Sequence, residues 1–178
     1  MADLLTHVFV AYVLATVCTW RFERLTPAFV TVAMIGAVIP DLKRIELLVP
    51  ADAVTAVLGV PFSWQPLHRL GGAAVVVAIC IVVAPPRYRR RVAAALVLGV
   101  ASHFVLDVYS ATGTTRPFLW PLTDQGLPAG GLYRSHERWP ALVSGLAAVL
   151  VWLETRRRRL RDADGLERAH RGVPDRTE

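Results

Sequence analysis

The sequence predicts an all-α integral membrane protein: a bundle of about five transmembrane helices with a short interfacial helix and a disordered, charged tail. Three observations predict it. Hydrophobic residues make up 54% of the 178 residues and mean hydropathy is +0.43, more than an ordinary soluble domain carries. The apolar residues are gathered into long runs that lack Lys, Arg and Glu. The basic residues, mostly Arg, cluster where those runs end.

Five runs stand out: Leu4 to Trp20, Pro27 to Pro40, about Leu67 to Ala84, Val92 to Tyr109, and Pro140 to Leu153. A helix that crosses the hydrocarbon layer needs ~20 apolar residues. The second and fifth runs are therefore short and must draw on their flanks. Arg21 and Arg24 follow the first run, Arg87, Arg89, Arg90 and Arg91 the third, and Arg156 to Arg159 the fifth. With five crossings these ends share one side. The positive-inside rule makes that side the cytoplasm, with the N-terminus outside and the C-terminus inside the inner membrane. Lys43, Arg44, Arg116, Arg134 and Arg138 fall in the outer connections, but more sparsely. Residues 1–155 form the embedded domain, and residues 156–178 an Arg-rich cytoplasmic tail that is partly disordered.

The start of the chain, MADLLTH, has no positive n-region and reads as an uncleaved first helix. Ile45-Glu46-Leu47-Leu48-Val49 is a short amphipathic stretch suited to the membrane surface. The 111–138 connection is rich in Gly and Pro, which is loop chemistry and the composition of a lid. Formal net charge is +6. Because the Arg clusters flank apolar runs, without interleaved aromatics, they point to membrane lipids as partners and away from nucleic acid. Cys18 and Cys80 lie inside apolar runs, which argues for buried apolar side chains and against a disulfide or thiolate metal site.

An ionisable residue within a membrane helix is expensive, and function is the default reading of one. Here His7, Asp41, His68, His103 and Asp107 each stand at or near the end of a run. At ~1.5 Å per residue, His7 lies ~21 Å from Arg21, Asp41 ~25 Å from Arg24, and His68 ~28 Å from Arg87. His103 and Asp107 lie ~18 and ~24 Å from Arg91. All five thus share one depth, in the outer half of the layer. His103 and Asp107, four apart, share a helix face. With Asp41 and His68 they make a two-His, two-carboxylate set suited to zinc or a similar divalent ion. Asp107 is placed to bridge to a second ion that also uses His7, which allows one ion or two. Each residue has a plain structural reading: a hydrogen-bonded core His, a helix-ending Asp, an interfacial His, an interhelical polar pair. Those readings strain only when all must hold at one level. Asp3 is placed to orient His7. Arg69, beside His68, is a candidate clamp for a phosphate or an oxyanion, or else a snorkelling interfacial Arg. His136 and Glu137 read as solvated loop residues, and Trp120 with Pro121 as an interfacial anchor.

The ordered set Thr6-His7, Ile39-Pro40-Asp41, His68-Arg69, Ser102-His103-Phe104-Val105-Leu106-Asp107, Gly113 and Leu119-Trp120-Pro121-Leu122 resembles the YdjM-like family of membrane-bound metal-dependent hydrolases over about residues 4–153. More distantly, it is similar to the zinc ligands of bacterial phospholipase C and the P1-type nucleases. Carried over by position, the resemblance implies that Asp41, His68, His103 and Asp107 hold one ion and His7 with Asp107 a second. The further His and Glu ligands of those enzymes have no counterpart here beyond His136 and Glu137. The implied function is a membrane-embedded hydrolase acting on a phosphoester, such as a lipid headgroup, at the outer face, with Arg69 and Asp107 in catalytic roles. The alternatives are a non-catalytic membrane protein with a structural metal or partner-binding site, and, less favoured, a small transporter. A transporter would place its polar groups near the midplane and in paired repeats.

Overall fold

In a computed structural model the described residues are 4–22, 25–110, 117–126, 128, 130–134 and 137–171, with side chains described as far as residue 163. Each apolar run forms a helix. They are α1 (Leu4–Arg21), α2 (Pro27–Val38), α4 (Leu70–Val83), α5 (Arg89–Tyr109) and α6 (Trp139–Arg171). A short helix that the runs did not signal, α3 (Ala51–Leu58), lies in the second connection.

Of the five expected spans, Leu4–Arg21 and Pro86–Tyr109 are long and apolar enough to cross a membrane. Helix α4 is apolar but has 14 residues, roughly 21 Å. Helix α2 has 12, roughly 18 Å, because Ile39–Leu47 tightens into a 3-10 helix. The run of Pro40 and Asp41 is thus not the end of a long α-helix but the first turn of a 3-10 segment. Helix α6 continues past its apolar run to Arg171, and residues 172–178 lie outside the described residues.

Helices α1, α2 and α5 pack on one another, with α6 against α1 and α4 against α5. Small residues dominate the centre. Ala15, Phe29, Val30, Ala33 and Ala95 form one buried cluster, and Ile39, Ala73, Val77, Leu96 and Val100 a second. At the α2–α5 crossing the backbones touch. A Cβ on Gly36 would meet the Leu96 carbonyl oxygen at 2.5 Å, and one on Gly99 would overlap the Ala33 carbonyl oxygen. Small residues at a crossing let membrane helices approach this closely where hydrophobic exclusion from water is absent. The outer surfaces of α4 and α6 expose Val75, Ile79, Val82 and Val83, and Leu142, Val143, Leu146, Val149 and Leu150, as a lipid-facing surface does. The second connection leaves Leu47, Leu48, Val57 and Leu58 exposed. The amphipathic element expected there is therefore longer than Ile45–Val49, extending through α3.

Described residues of the 111–138 connection, which the sequence reads as loop or lid, cover two helix ends. The first free N–H groups of α4, on Leu70 and Gly71, donate to the carbonyls of Phe118 and Trp120 at 2.7 and 2.8 Å. Farther along the connection, the N–H groups of Gly130 and Leu132 donate to Val108 and Tyr109 of α5, and the Tyr133 hydroxyl donates to Leu106 at 2.6 Å. These are the terminal groups that a helix cannot satisfy internally.

Substituting Gly99→Ala is expected to force α2 and α5 apart and destabilise the protein by about 3 kcal/mol, read as a lowered thermal midpoint in detergent. Gly145→Ala, where a Cβ meets only the Phe9 ring at 3.3 Å, serves as the mild control.

Candidate metal centre

All five acid and imidazole residues expected at one level do meet, on the side of the bundle away from Arg21 and the Arg89–Arg91 cluster. Helix α1 brings His7 from its first turn, and α5 brings His103 and Asp107 from its last two. Asp41 comes from the 3-10 segment after α2. His68 closes a separate 3-10 turn, Gln65–His68, and so precedes α4 rather than opening it. His7 and His103 are 0% exposed, Asp107 3%, and Asp41 and His68 4%.

Asp107 is the hub. One of its oxygens lies 2.8 Å from His68 Nε2 and 3.6 Å from His103 Nε2, and the other lies 3.5 Å from His7 Nε2. His7 stacks on His103 with ring centroids 3.9 Å apart, and His68 stands edge-on to His103 at 5.3 Å.

Backbone carbonyls fix how two of the rings are protonated. His68 Nδ1 donates to Pro40 O at 2.9 Å, and His103 Nδ1 donates to Ala37 O at 2.7 Å. One acceptor is in the last turn of α2 and the other is in the 3-10 segment that follows it. Pro40 has no N–H and so cannot donate back to Ala37 O, which helps leave that oxygen open to the imidazole. With Nδ1 carrying a proton, Nε2 of each neutral ring is a bare lone pair. Those lone pairs face a carboxylate, which also only accepts, so the 2.8 Å contact of His68 Nε2 with Asp107 needs a proton or a cation between them. His103 Nε2, both nitrogens of His7 and Asp41 Oδ1 have no hydrogen-bond partner, Asp41 Oδ2 is held by the Arg44 ion pair, and unpartnered groups are costly to bury. Protonating every ring would set imidazolium against stacked imidazolium in a dry site. A cation held by either group of donors described below would satisfy several of these lone pairs at once. An imidazole that donates its far N–H to a backbone carbonyl is also the usual outer-sphere arrangement of a metal-bound His.

The donor atoms form two overlapping groups, His7–His103–Asp107 and Asp41–His68–His103, and within each they lie within 4.8 Å of one another. The grouping differs in detail from the expected one: His7 shares its group with His103 as well as Asp107, and Asp41 joins the two imidazoles without Asp107. Both groups need His103, whose Nδ1 is already committed. Its single remaining lone pair serves one ion at a time, so the set accommodates one fully ligated ion more readily than two. Three imidazoles and two carboxylates suit zinc or a similar divalent ion.

Arg69 does not join the cluster. Its guanidinium lies over the Trp120 ring, 5.8 Å from the centroid. It lines a cavity of about 290 Å³ together with Lys43, Gln65, His68, Pro117 and Phe118. That cavity, basic on its rim, gives His68 its outlet. Trp120, expected as an interfacial anchor, is thus also a shelf for Arg69. Asp3 and His136 lie outside the described residues, while Glu137 caps a local turn, accepting from the Arg134 N–H and from Trp139 Nε1.

Four contributors were not singled out from the sequence. Arg44 pairs with Asp41 at 3.2 Å, a partnership that the i, i+3 spacing signals on any helical segment. Lys43 and Gln65 line the cavity, and only the fold brings them there. Tyr133 is buried beside the cluster. Burial, and then the negative charge of Asp107, push its phenol up to about 12, so it remains a donor throughout the physiological range.

Compared with known proteins, the chain matches the family described as YdjM inner membrane protein over residues 1–163. No curated protein and no solved structure matches it.

Tyr133→Phe would leave the Leu106 carbonyl without its 2.6 Å donor at the turn that carries Asp107. The expected loss is about 1–2 kcal/mol, read by thermal unfolding, with metal content retained.

Proposed function

The chain belongs to the YdjM inner membrane protein family, and from that premise we propose that it is a membrane-embedded, metal-dependent hydrolase. The observation that supports this best is the convergence of three imidazole Nε2 atoms on one buried carboxylate, with His103 Nε2, both His7 nitrogens and Asp41 Oδ1 left without a hydrogen-bond partner. His7, His68, His103, Asp41 and Asp107 would hold the ion, and Arg44 would keep the Asp41 carboxylate oriented. A divalent ion so held supplies Lewis acidity and lowers the pKa of a water, which is the chemistry of phosphoester hydrolysis at neutral pH.

The other residues have roles that follow from their placement. Pro40 and Ala37 fix the tautomers of His68 and His103, so both present Nε2 to the centre. Phe104 and Phe118 stand edge-on to the His68 ring at 6.2 and 5.8 Å and keep water from its face. Arg69 and Lys43 give the adjoining cavity a positive rim, which favours an anionic group such as a phosphate. Arg69 there binds and orients substrate charge. A phosphoester, with a lipid headgroup as one form of it, fits a basic cavity at the end of a membrane bundle. The density of Arg at the opposite end supports an orientation with the site facing outward and the C-terminus in the cytoplasm. The five apolar helices then serve as five passes, the short α2 and α4 aided by their 3-10 extensions.

A second reading is a metal site that only stabilises the fold. Its support is the near-complete burial of all five donors, since structural sites are closed and catalytic sites keep an open position.

Purified protein in detergent is expected to hold about one divalent ion per chain, and Asp107→Ala to hold none; wild-type protein without stoichiometric metal would refute the proposal. Arg69→Ala separates the two readings. The hydrolase reading expects phosphoester turnover to fall by roughly 10²-fold with metal content and thermal midpoint unchanged. Wild-type protein that holds metal yet hydrolyses no phosphoester or phospholipid would favour the structural reading. A reporter fused after Leu160 is expected to be active only as a cytoplasmic fusion, and an active periplasmic reporter there would reverse the orientation.

A further inference from the structure

A second polar cavity lies toward the opposite end of the bundle, between α1, α2 and α6. It has a volume of about 320 Å³ and is lined by Tyr12, Thr16, Thr19, Thr31, Arg156 and Arg159 among others. Along α1, Thr16 is nine residues beyond His7, roughly 13 Å, so this cavity is separate from the metal centre.

Its lining combines three features. Hydroxyls from α1 and α2 line it, Arg156 and Arg159 of α6 line it too, and among the described residues no carboxylate does. Apolar side chains, Val30, Met34 and Trp152, complete the wall. The neighbouring basic residue is used elsewhere: Arg158 pairs with Glu154 at 2.9 Å and lies over the Trp20 ring at 4.4 Å. Trp20 Nε1 donates to Thr155 Oγ1, and Thr155 Oγ1 donates to Val151 O, so the α1–α6 seam is fixed behind the cavity.

One group points to a ligand. Thr16 is only 5% exposed, it lines the cavity, and its hydroxyl has no hydrogen-bond partner. A buried hydroxyl left unpaired is costly. Mid-helix, Thr ordinarily returns its hydroxyl to a preceding carbonyl, as Thr155 does and as Thr19 does to Thr16 O at 2.7 Å. Thr16, which lines this cavity, makes no such bond.

We propose that this cavity binds the phosphate of an anionic phospholipid, with Arg156 and Arg159 on the phosphate charge and the Thr16 hydroxyl donating to the headgroup. Basic pockets between transmembrane helices accept anionic headgroups in this way. The apolar wall of Val30, Met34 and Trp152 suits the start of an acyl chain, so the lipid form is favoured over a free phosphate.

The test uses full-length protein in a neutral detergent, with phosphatidylglycerol, phosphatidylcholine, glycerol 3-phosphate and inorganic phosphate as separate probes. Phosphatidylglycerol is expected to raise the thermal midpoint and to persist as a bound species in native mass spectrometry, while phosphatidylcholine does neither. Glycerol 3-phosphate and inorganic phosphate are expected to bind far more weakly; binding as tight as the lipid's would overturn the lipid assignment. Arg156→Gln with Arg159→Gln is expected to weaken phosphatidylglycerol binding at least tenfold. Arg157→Gln, which removes a charge that does not line the cavity, is expected to leave it within about twofold. Equal losses in the two variants would mean diffuse attraction to the basic helix and would overturn the site. Thr16→Val is expected to weaken binding severalfold with the free protein's midpoint unchanged or raised, since it removes an unpaired hydroxyl. Unchanged lipid affinity in that variant would remove Thr16 from the site and overturn the proposal as stated.

Discussion

At Gly36 and Gly99 the backbones of α2 and α5 come into contact, and the placement of the metal centre depends on that approach. One turn beyond Gly99, His103 is brought close enough for its Nδ1 to reach Ala37 O. In the 3-10 segment after α2, Pro40 O accepts the equivalent hydrogen bond from His68 Nδ1. A side chain at either glycine would separate the helices by more than a hydrogen bond's tolerance. The imidazoles would then lose the partners that turn their Nε2 atoms toward Asp107. The crossing and the centre are in this sense one structure, with the small-residue seam below and the donor atoms above.

The end of the bundle that holds the donors is made of irregular backbone. A 3-10 segment carries Asp41, a 3-10 turn carries His68, and the 117–134 connection closes over the ends of α4 and α5. Such backbone is tolerated at membrane depth only where its polar groups are satisfied by protein or water. Here the carbonyls that a regular helix would have used internally become acceptors for imidazole and phenol. Irregularity supplies the second layer of contacts around the donors, and this is why Pro40, Phe118 and Tyr133 matter to the site without being donors themselves.

The two ends of the bundle have opposite characters. At one end, acids and imidazoles are buried and held by backbone carbonyls. At the other, Arg side chains lie exposed along α6 and at the start of α5, stacked on Trp20, Tyr88 and Trp152. Exposed Arg on aromatic shelves fits a membrane–water boundary, where amphipathic side chains anchor the helix ends. The same asymmetry separates the candidate cation site from the proposed anion site by about half the length of α1.

The sequence by itself determined the helical, membrane-embedded class and the five donor residues. Both depend on quantities that are local along the chain: apolar run length, the position of Arg at run ends, and the fixed rise per residue that converts sequence distance into depth. Pro40 beside Asp41 was visible, but its role in freeing Ala37 O was not, because the acceptor's partner lies 66 residues away. The breadth of the spans was also only partly legible. Hydropathy marks where apolar residues run, but not where the backbone tightens from α to 3-10, and so Pro27 to Pro40 read as one helix. Helix α3 and the unbroken α6 escaped for a related reason, since neither carries an apolar run over its full length. Which side chains could share an ion, that His103 is common to both groups, and that Arg69 lies on a cavity rim beside Trp120 were decided by tertiary structure alone. Depth places groups on a plane, while the angle of each helix about its own axis, set here by the contact of two glycines, decides which of them face one another.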